Sequence, residues 1–132
     1  MNLQEQYWDK KIKEWTQNSY QNKFQGLNLI ERAANLFRGP ITKRMTTALN
    51  IVGPRAKDKV ILEFGCGLGD FCFAILKYGP KQVIGVDISG VAIKLAHQAA
   101  QKKQVGKKVK FVHGSVVRMK KLPPFDITVG LG

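Results

Sequence analysis

The spacing of apolar residues changes near residue 59, and that change divides the chain. Over 1–52 the apolar positions recur at helical steps of three and four, with no strand-like alternation. Trp8, Ile12 and Trp15 predict a first helix with a largely aromatic stripe, and Tyr20 falls beyond it. Leu29, Ile30, Ala33, Ala34 and Phe37 predict a second helix that stops at "RGP", where Gly39 can take a left-handed turn. Pro40 suits the first turn of a third helix, with Ile41, Met45, Ala48 and Leu49 as its buried face. Val52 to Lys59 then reads as a polar loop.

From residue 59 onward, short apolar runs alternate with amphipathic stretches. Val60–Phe64, Gln82–Val86, Val109–His113 and Phe125–Val129 predict four strands. Phe71–Tyr78, closed by Gly79 and Pro80, and Ser89–Lys103, with Ala92, Leu95, Ala96, Ala99 and Ala100 on one side, predict the helices between them. Alternation of this kind predicts an α/β fold: a parallel sheet with right-handed crossovers, its strands continuous in apolar character because both faces are buried. Two regions follow, a helical region at 1–52 and an α/β region at 59–132, with no internal repeat or low-complexity segment.

The first strand ends in "VILEFGCGLGD", with Gly65, Gly67 and Gly69 at alternate positions before a helix. In a parallel sheet, ligands bind beyond the carboxyl ends of the strands, and a glycine loop there gives positive φ and lets a ligand lie against main chain. Asp87 ends the second strand, 18 residues beyond Gly69, where a carboxylate can accept from both ribose hydroxyls. Asp87 and Ser89 also suit the capping of the following helix. The dinucleotide pattern G-x-G-x-x-G/A fails in this register, because Asp70 stands where the third small residue belongs and would oppose a pyrophosphate. No G-K-[ST] follows the glycines, so the loop is not a P-loop. Glu63, inside the motif, suits a ligand carrying an ammonium or sulfonium. A cationic adenosyl ligand fits best.

Charge and composition add less. Twenty-two Lys and Arg against nine Asp and Glu give a formal charge of +13 over 132 residues. Such a balance attracts RNA, another polyanion or a phosphorylated substrate. Lys102, Lys103, Lys107, Lys108, Lys110, Arg118, Lys120 and Lys121 fall mostly at element ends, with few aromatic residues among them for base stacking. They read as a solvated rim before a polyanion site. Cys66 and Cys72, six residues apart with no second pair, fit neither a disulfide framework nor a metal site. No apolar run approaches a membrane span, and the N-terminus lacks the apolar core of a signal peptide, so a cytoplasmic protein is expected.

Taken in order, these residues resemble the class I S-adenosylmethionine-dependent methyltransferases over 59–132. "VILEFGCGLGD" resembles their first motif, "VIGVDIS" their second, "VKFVHGSV" their third and "FDITVGLG" the start of their fourth. The resemblance implies a Rossmann-like sheet and S-adenosyl-L-methionine as cofactor. Glu63 would face its methionine amino group, directly or through water, Gly65, Cys66 and Gly67 would lie against its methionine and ribose, Gly69 would complete the binding loop, and Asp87 would bind its ribose hydroxyls. Ile88 would pack on the adenine, Ser115 and Val116 would border it, and Gly130 would lie near the methyl end. Ser115 stands where the family commonly has an acid, which implies weaker adenine recognition. Helices of 1–52 would form a lid, with Tyr7, Trp8 and Trp15 over the site or in lid packing.

Family members form a seven-stranded sheet in order 3-2-1-4-5-7-6, whereas this chain stops after its fourth strand. The expectation is a fragment with strand order 3-2-1-4, an exposed fourth strand, and no acceptor pocket of its own. The methyl acceptor implied is most often a small molecule, with RNA or protein open. A module that binds cofactor or polyanion without catalysis is the alternative, and a dinucleotide oxidoreductase is disfavoured by Asp70. His97, His113 and Asp126 read as structural or exposed, and no residue is assigned to catalysis.

Overall fold

The structure, a computed structural model, describes residues 2–21 and 43–131. Its elements in chain order are α1 (Leu3–Gln21), α2 (43–52), β1 (Val60–Phe64), α3 (Asp70–Ala74), β2 (Gln82–Asp87), α4 (Gly90–Lys102), β3 (Val109–His113) and β4 (Ile127–Gly130). Short 3-10 turns follow α2 at Gly53–Arg55 and α3 at Ile75–Tyr78. The expected second helix, at Leu29 to Phe37, and Ile41 of the third lie outside the described residues.

The four strands form one parallel sheet in order β3-β2-β1-β4. The alternation of strand and helix implies the parallel sheet, and the family resemblance implies this Rossmann-like order. Successive residues of β1 serve opposite faces, and Ile61 and Leu62 are both fully buried because both faces are covered. On one face Ile61, Val83, Val109, Phe111 and Val129 pack with Leu49 and Val52 of α2, Phe71 of α3 and Ile93, Ala96 and Ala100 of α4. On the other, Leu62, Ile84 and Val86 pack under Phe64, Val112 and Met119, the last from the connection at 114–126. Helices α2, α3 and α4 therefore serve one face, and an irregular connection helps to close the other.

Two boundaries and one helix face differ most from the sequence reading. The predicted helix Phe71–Tyr78 is an α-helix only to Ala74; its last turn tightens into a 3-10 turn that ends on left-handed Gly79, φ 71°. β4 begins at Ile127 and not at Phe125, because Asp126 closes the start of the ladder. Its amide donates to the Val60 carbonyl at 2.8 Å, and its carboxylate accepts from the Val60 amide at 2.8 Å. Asp126 is thus structural, as expected. The third difference concerns α1. Ile12 is buried at 6% exposure, but Trp8 and Trp15 remain 42% and 40% exposed, so the aromatic stripe is not the docking face. Glu5, Asp9 and Ile12, also at steps of four and three, carry that face, and the tryptophans flank it.

No helix among the described residues is long and apolar enough to cross a membrane. The basic residues from Lys102 to Lys121 are exposed, and Lys103 extends its Nζ over the Phe73 ring at 5.4 Å from the centroid. They form a rim.

Candidate functional site

The carboxyl end of β1 opens directly into the glycine loop, and all three loop glycines are left-handed, with φ of 67° at Gly65, 52° at Gly67 and 88° at Gly69. They serve two different needs. A Cβ on Gly65 or Gly67 would meet nothing within 4 Å, so these two present bare main chain to an open side. A Cβ on Gly69 would lie 2.6 Å from the Phe111 ring and 3.1 Å from Phe73, so Gly69 is there for packing beneath the loop. Gly130, beside Phe64 in the sheet register, also faces open space.

Asp87 ties this loop to the next one. Its Oδ2 accepts from the Gly67 amide at 2.7 Å and its Oδ1 from the Ser89 amide at 2.8 Å. Each oxygen keeps lone-pair capacity beyond that one bond. The Asp87 carbonyl accepts from the Gly114 amide at 2.9 Å, which brings the loop after β3 to the same corner. Ile88 is half-buried there, Ser115 is half-buried and Val116 is 40% exposed. His113 reaches the Ile88 carbonyl with Nε2 at 3.0 Å.

Glu63 lies under the loop at 3% exposure. Burial pushes its carboxyl up to about 7 from 4.5; the Cys72 hydrogen bond pulls the other way, and the charges of Asp70 and Asp87 add to the rise. Cys72 Sγ donates to Glu63 Oε2 at 3.0 Å. Hydrogen bonding with Cys66, together with burial, pushes the Cys72 thiol well up, so it stays protonated. Both cysteines are buried free thiols.

The Cys66 side chain packs in the core, where a Cβ on Gly85 would come within 2.8 Å of its Sγ. Only the main chain of Cys66 therefore belongs to the loop surface, and its amide is engaged with the Val86 carbonyl at 3.1 Å. Gly85 was missed in the sequence reading, although a glycine inside a strand is the usual signal of close approach. Glu5 and Asp9 were also missed: Glu5 Oε1 is 3.1 Å from His113 Nε2, and Asp9 Oδ1 accepts from Ser89 Oγ at 2.6 Å. The corner thus joins Gly65, Gly67, Asp87, Ile88 and Ser115, with Glu63 beneath, Gly130 beside β1 and α1 along one flank.

A family described as "Methyltransferase domain" matches residues 55–130, from just before β1 to the end of β4. The chain belongs to this methyltransferase-domain family. Among curated relatives, the ribosomal protein L11 methyltransferase of Hamiltonella defensa is 43% identical over 49 residues, 37% of this chain and 16% of that enzyme. The corresponding Colwellia psychrerythraea enzyme is 40% identical over 63 residues, 46% of this chain and 22% of that enzyme. This methyltransferase domain thus matches less than a quarter of the length of either relative. Among solved structures, the Trypanosoma brucei PRMT1 enzyme-prozyme complex with AdoHcy aligns at TM-score 0.62 and 27% identity, covering 72% of this chain and 30% of that one.

Proposed function

We propose that this methyltransferase domain binds S-adenosyl-L-methionine at the glycine loop and serves transfer of its methyl group to an acceptor. The observation that carries this reading is the pairing of open, left-handed Gly65 and Gly67 with Asp87, whose two carboxylate oxygens hold the loop and the next turn together. The residues fit the cofactor's chemistry. A carboxylate with spare lone pairs suits two vicinal hydroxyls. Bare main chain at Gly65 and Gly67 admits a ligand that a side chain would exclude. Glu63 offers a negative charge for an ammonium group once it ionises. When bound, the cofactor supplies a methyl group on an electrophilic sulfonium.

The chain's own part is to hold and orient. Asp87 binds the ribose, Ile88 packs against the adenine with Ser115 and Val116 at its border, and Glu63 faces the amino end. Gly65, Gly67 and Gly130 leave the carboxyl end of β1 open, with Cys66 contributing main chain. Gly69 acts from below by letting Phe111 support the loop. Orientation of the methyl group relative to an acceptor is a large part of what such a site must provide. The acceptor proposed is a small molecule. A protein acceptor is the second reading, favoured by the identity to enzymes named for ribosomal protein L11.

Calorimetric titration with S-adenosylmethionine, S-adenosylhomocysteine and NAD tests the cofactor assignment. One-to-one binding of both adenosyl ligands and none of NAD is expected. Binding of NAD alone would overturn it.

A further inference from the structure

The polar contacts around Asp87 do not end at the glycine loop. Gly67 N–H donates to Asp87 Oδ2 at 2.7 Å, and Ser89 N–H donates to Asp87 Oδ1 at 2.8 Å. Ser89 is 1% exposed, and its hydroxyl accepts from the Ala92 amide at 3.1 Å, capping α4. That hydroxyl has one proton, and the proton goes to Asp9 Oδ1 on α1 at 2.6 Å. The same Asp9 oxygen accepts from the Val91 amide at 3.2 Å. A residue 80 positions away in sequence thus completes the first turn of α4, supplying the cap that Ser89 cannot give to Val91. One turn earlier on α1, Glu5 meets His113, whose Nε2 is also 3.0 Å from the Ile88 carbonyl. Each residue of the turn 87–89 is therefore held from outside: Asp87 by the loop, Ile88 through His113, and Ser89 by Asp9.

From this chain of contacts we infer that Asp9 is a positioning residue for Asp87, so that docking of α1 and recognition of the cofactor's ribose are coupled. The inference rests on the cofactor reading above. Asp9 does not reach the ribose. It fixes the Ser89 hydroxyl and the α4 entry, and so fixes the amide that orients one of the two Asp87 oxygens. Without Asp9, the buried Ser89 proton and the Val91 amide lose their acceptor, and the turn is free to shift. Asp87 then presents its oxygens less well to a pair of hydroxyls. A lid that only covered the ligand would behave differently, because it would strengthen every adenosyl ligand alike.

The test uses the 132-residue chain and two probes, S-adenosylhomocysteine and its 2′-deoxy analogue, with Asp9→Ala and Asp9→Asn variants. Asp9→Ala is expected to weaken S-adenosylhomocysteine about tenfold, the size of one lost charged hydrogen bond. It should weaken the 2′-deoxy analogue less than about twofold, since only hydroxyl recognition depends on the turn. Asp9→Asn keeps an acceptor oxygen and should restore most of the discrimination. Amide hydrogen exchange of ligand-free protein, read at Gly67 and Ser89, should accelerate in Asp9→Ala and not in Asp9→Asn. Equal weakening of both ligands, or unchanged exchange at both amides, overturns the coupling while leaving the cofactor reading intact. Failure of the unsubstituted protein to bind S-adenosylhomocysteine overturns the cofactor reading, and this inference with it.

Discussion

The turn 87–89 has two neighbours built in opposite ways. On one side the glycine loop meets it with main chain: Gly67 lends an amide, and the open side of the loop is bare because Gly65 and Gly67 have no Cβ. On the other side α1 meets it with side chains, Asp9 on Ser89 and Val91 and Glu5 on His113, with Ile12 buried on the same face. Main-chain geometry is fixed by φ and by what packs beneath, so it tolerates few substitutions. Side-chain docking is fixed by individual hydrogen bonds, so each can be removed or restored alone. The first kind suits a site that must hold one shape, and the second suits an element whose hold on the site can be adjusted.

The contrast can be broken most severely at the residue both sides share. Asp87→Ala removes the proposed ribose acceptor and leaves the Gly67 and Ser89 amides without their acceptor. A loss of about 100-fold or more in S-adenosylhomocysteine affinity is expected, from two charged hydrogen bonds at about 1.5 kcal/mol each. Titration calorimetry measures it.

Within the loop, the glycines should separate into two classes. Gly69→Ala places a Cβ 2.6 Å from the Phe111 ring at a φ of 88°, and should destabilise the ligand-free protein by about 3 kcal/mol. Gly67→Ala meets open space and carries only the cost of its left-handed backbone, about 1 kcal/mol, yet it should weaken the ligand. Denaturant unfolding of the two variants checks the ordering. Equal destabilisation would erase the distinction between a packing glycine and a ligand-facing one.

Glu63 sharpens the comparison through pH. Its folded value of about 7 lies above its ordinary 4.5, so the stability it contributes is complete below about pH 4.5 and is lost as pH rises through 7. Ligand-free protein should thus lose on the order of 2–3 kcal/mol between pH 4.5 and 8, and Glu63→Gln should not. Affinity for S-adenosylhomocysteine, which carries an ammonium, should move the other way, falling up to about tenfold per pH unit below 7. Unfolding and titration across this range should therefore show opposite slopes in the unsubstituted protein and flat ones in Glu63→Gln.

The smallest effect belongs to the tryptophans. Trp8 is 42% exposed on the flank of α1, and Trp8→Ala should change stability by less than about 0.5 kcal/mol and affinity by less than about twofold. A larger effect would return the docking role to the aromatic stripe.

These two sides also differ in how far the sequence disclosed them. The parallel sheet was readable because four apolar runs, each followed by a glycine or an acid, alternate with helices, and its order 3-2-1-4 was readable from the family resemblance. Gly65, Gly67 and Asp87 were readable because their chemistry is local to strand ends. The docking face of α1 was not, since Trp8, Ile12 and Trp15 share the same steps as Glu5, Asp9 and Ile12. Spacing alone cannot choose between two stripes that overlap at one residue. What decides is a pair of acceptors on α1 meeting donors of α4 and β3 far along the chain, and no local pattern announces it. Cys66 illustrates the same limit at a single residue: its place in the loop was readable, but the turn of its thiol into the space left by Gly85 was not.

The central claim is that the ligand sits on the bare main chain of the glycine loop against Asp87. Backbone amide chemical-shift mapping on addition of S-adenosylhomocysteine tests it most directly. The largest changes should fall at Gly65, Gly67, Asp87, Ile88, Ser115 and Gly130, with smaller ones passing to Ser89 and Val91. Changes confined to the basic edge at Lys107, Lys108 and Lys110, or none at the glycine loop, would contradict it.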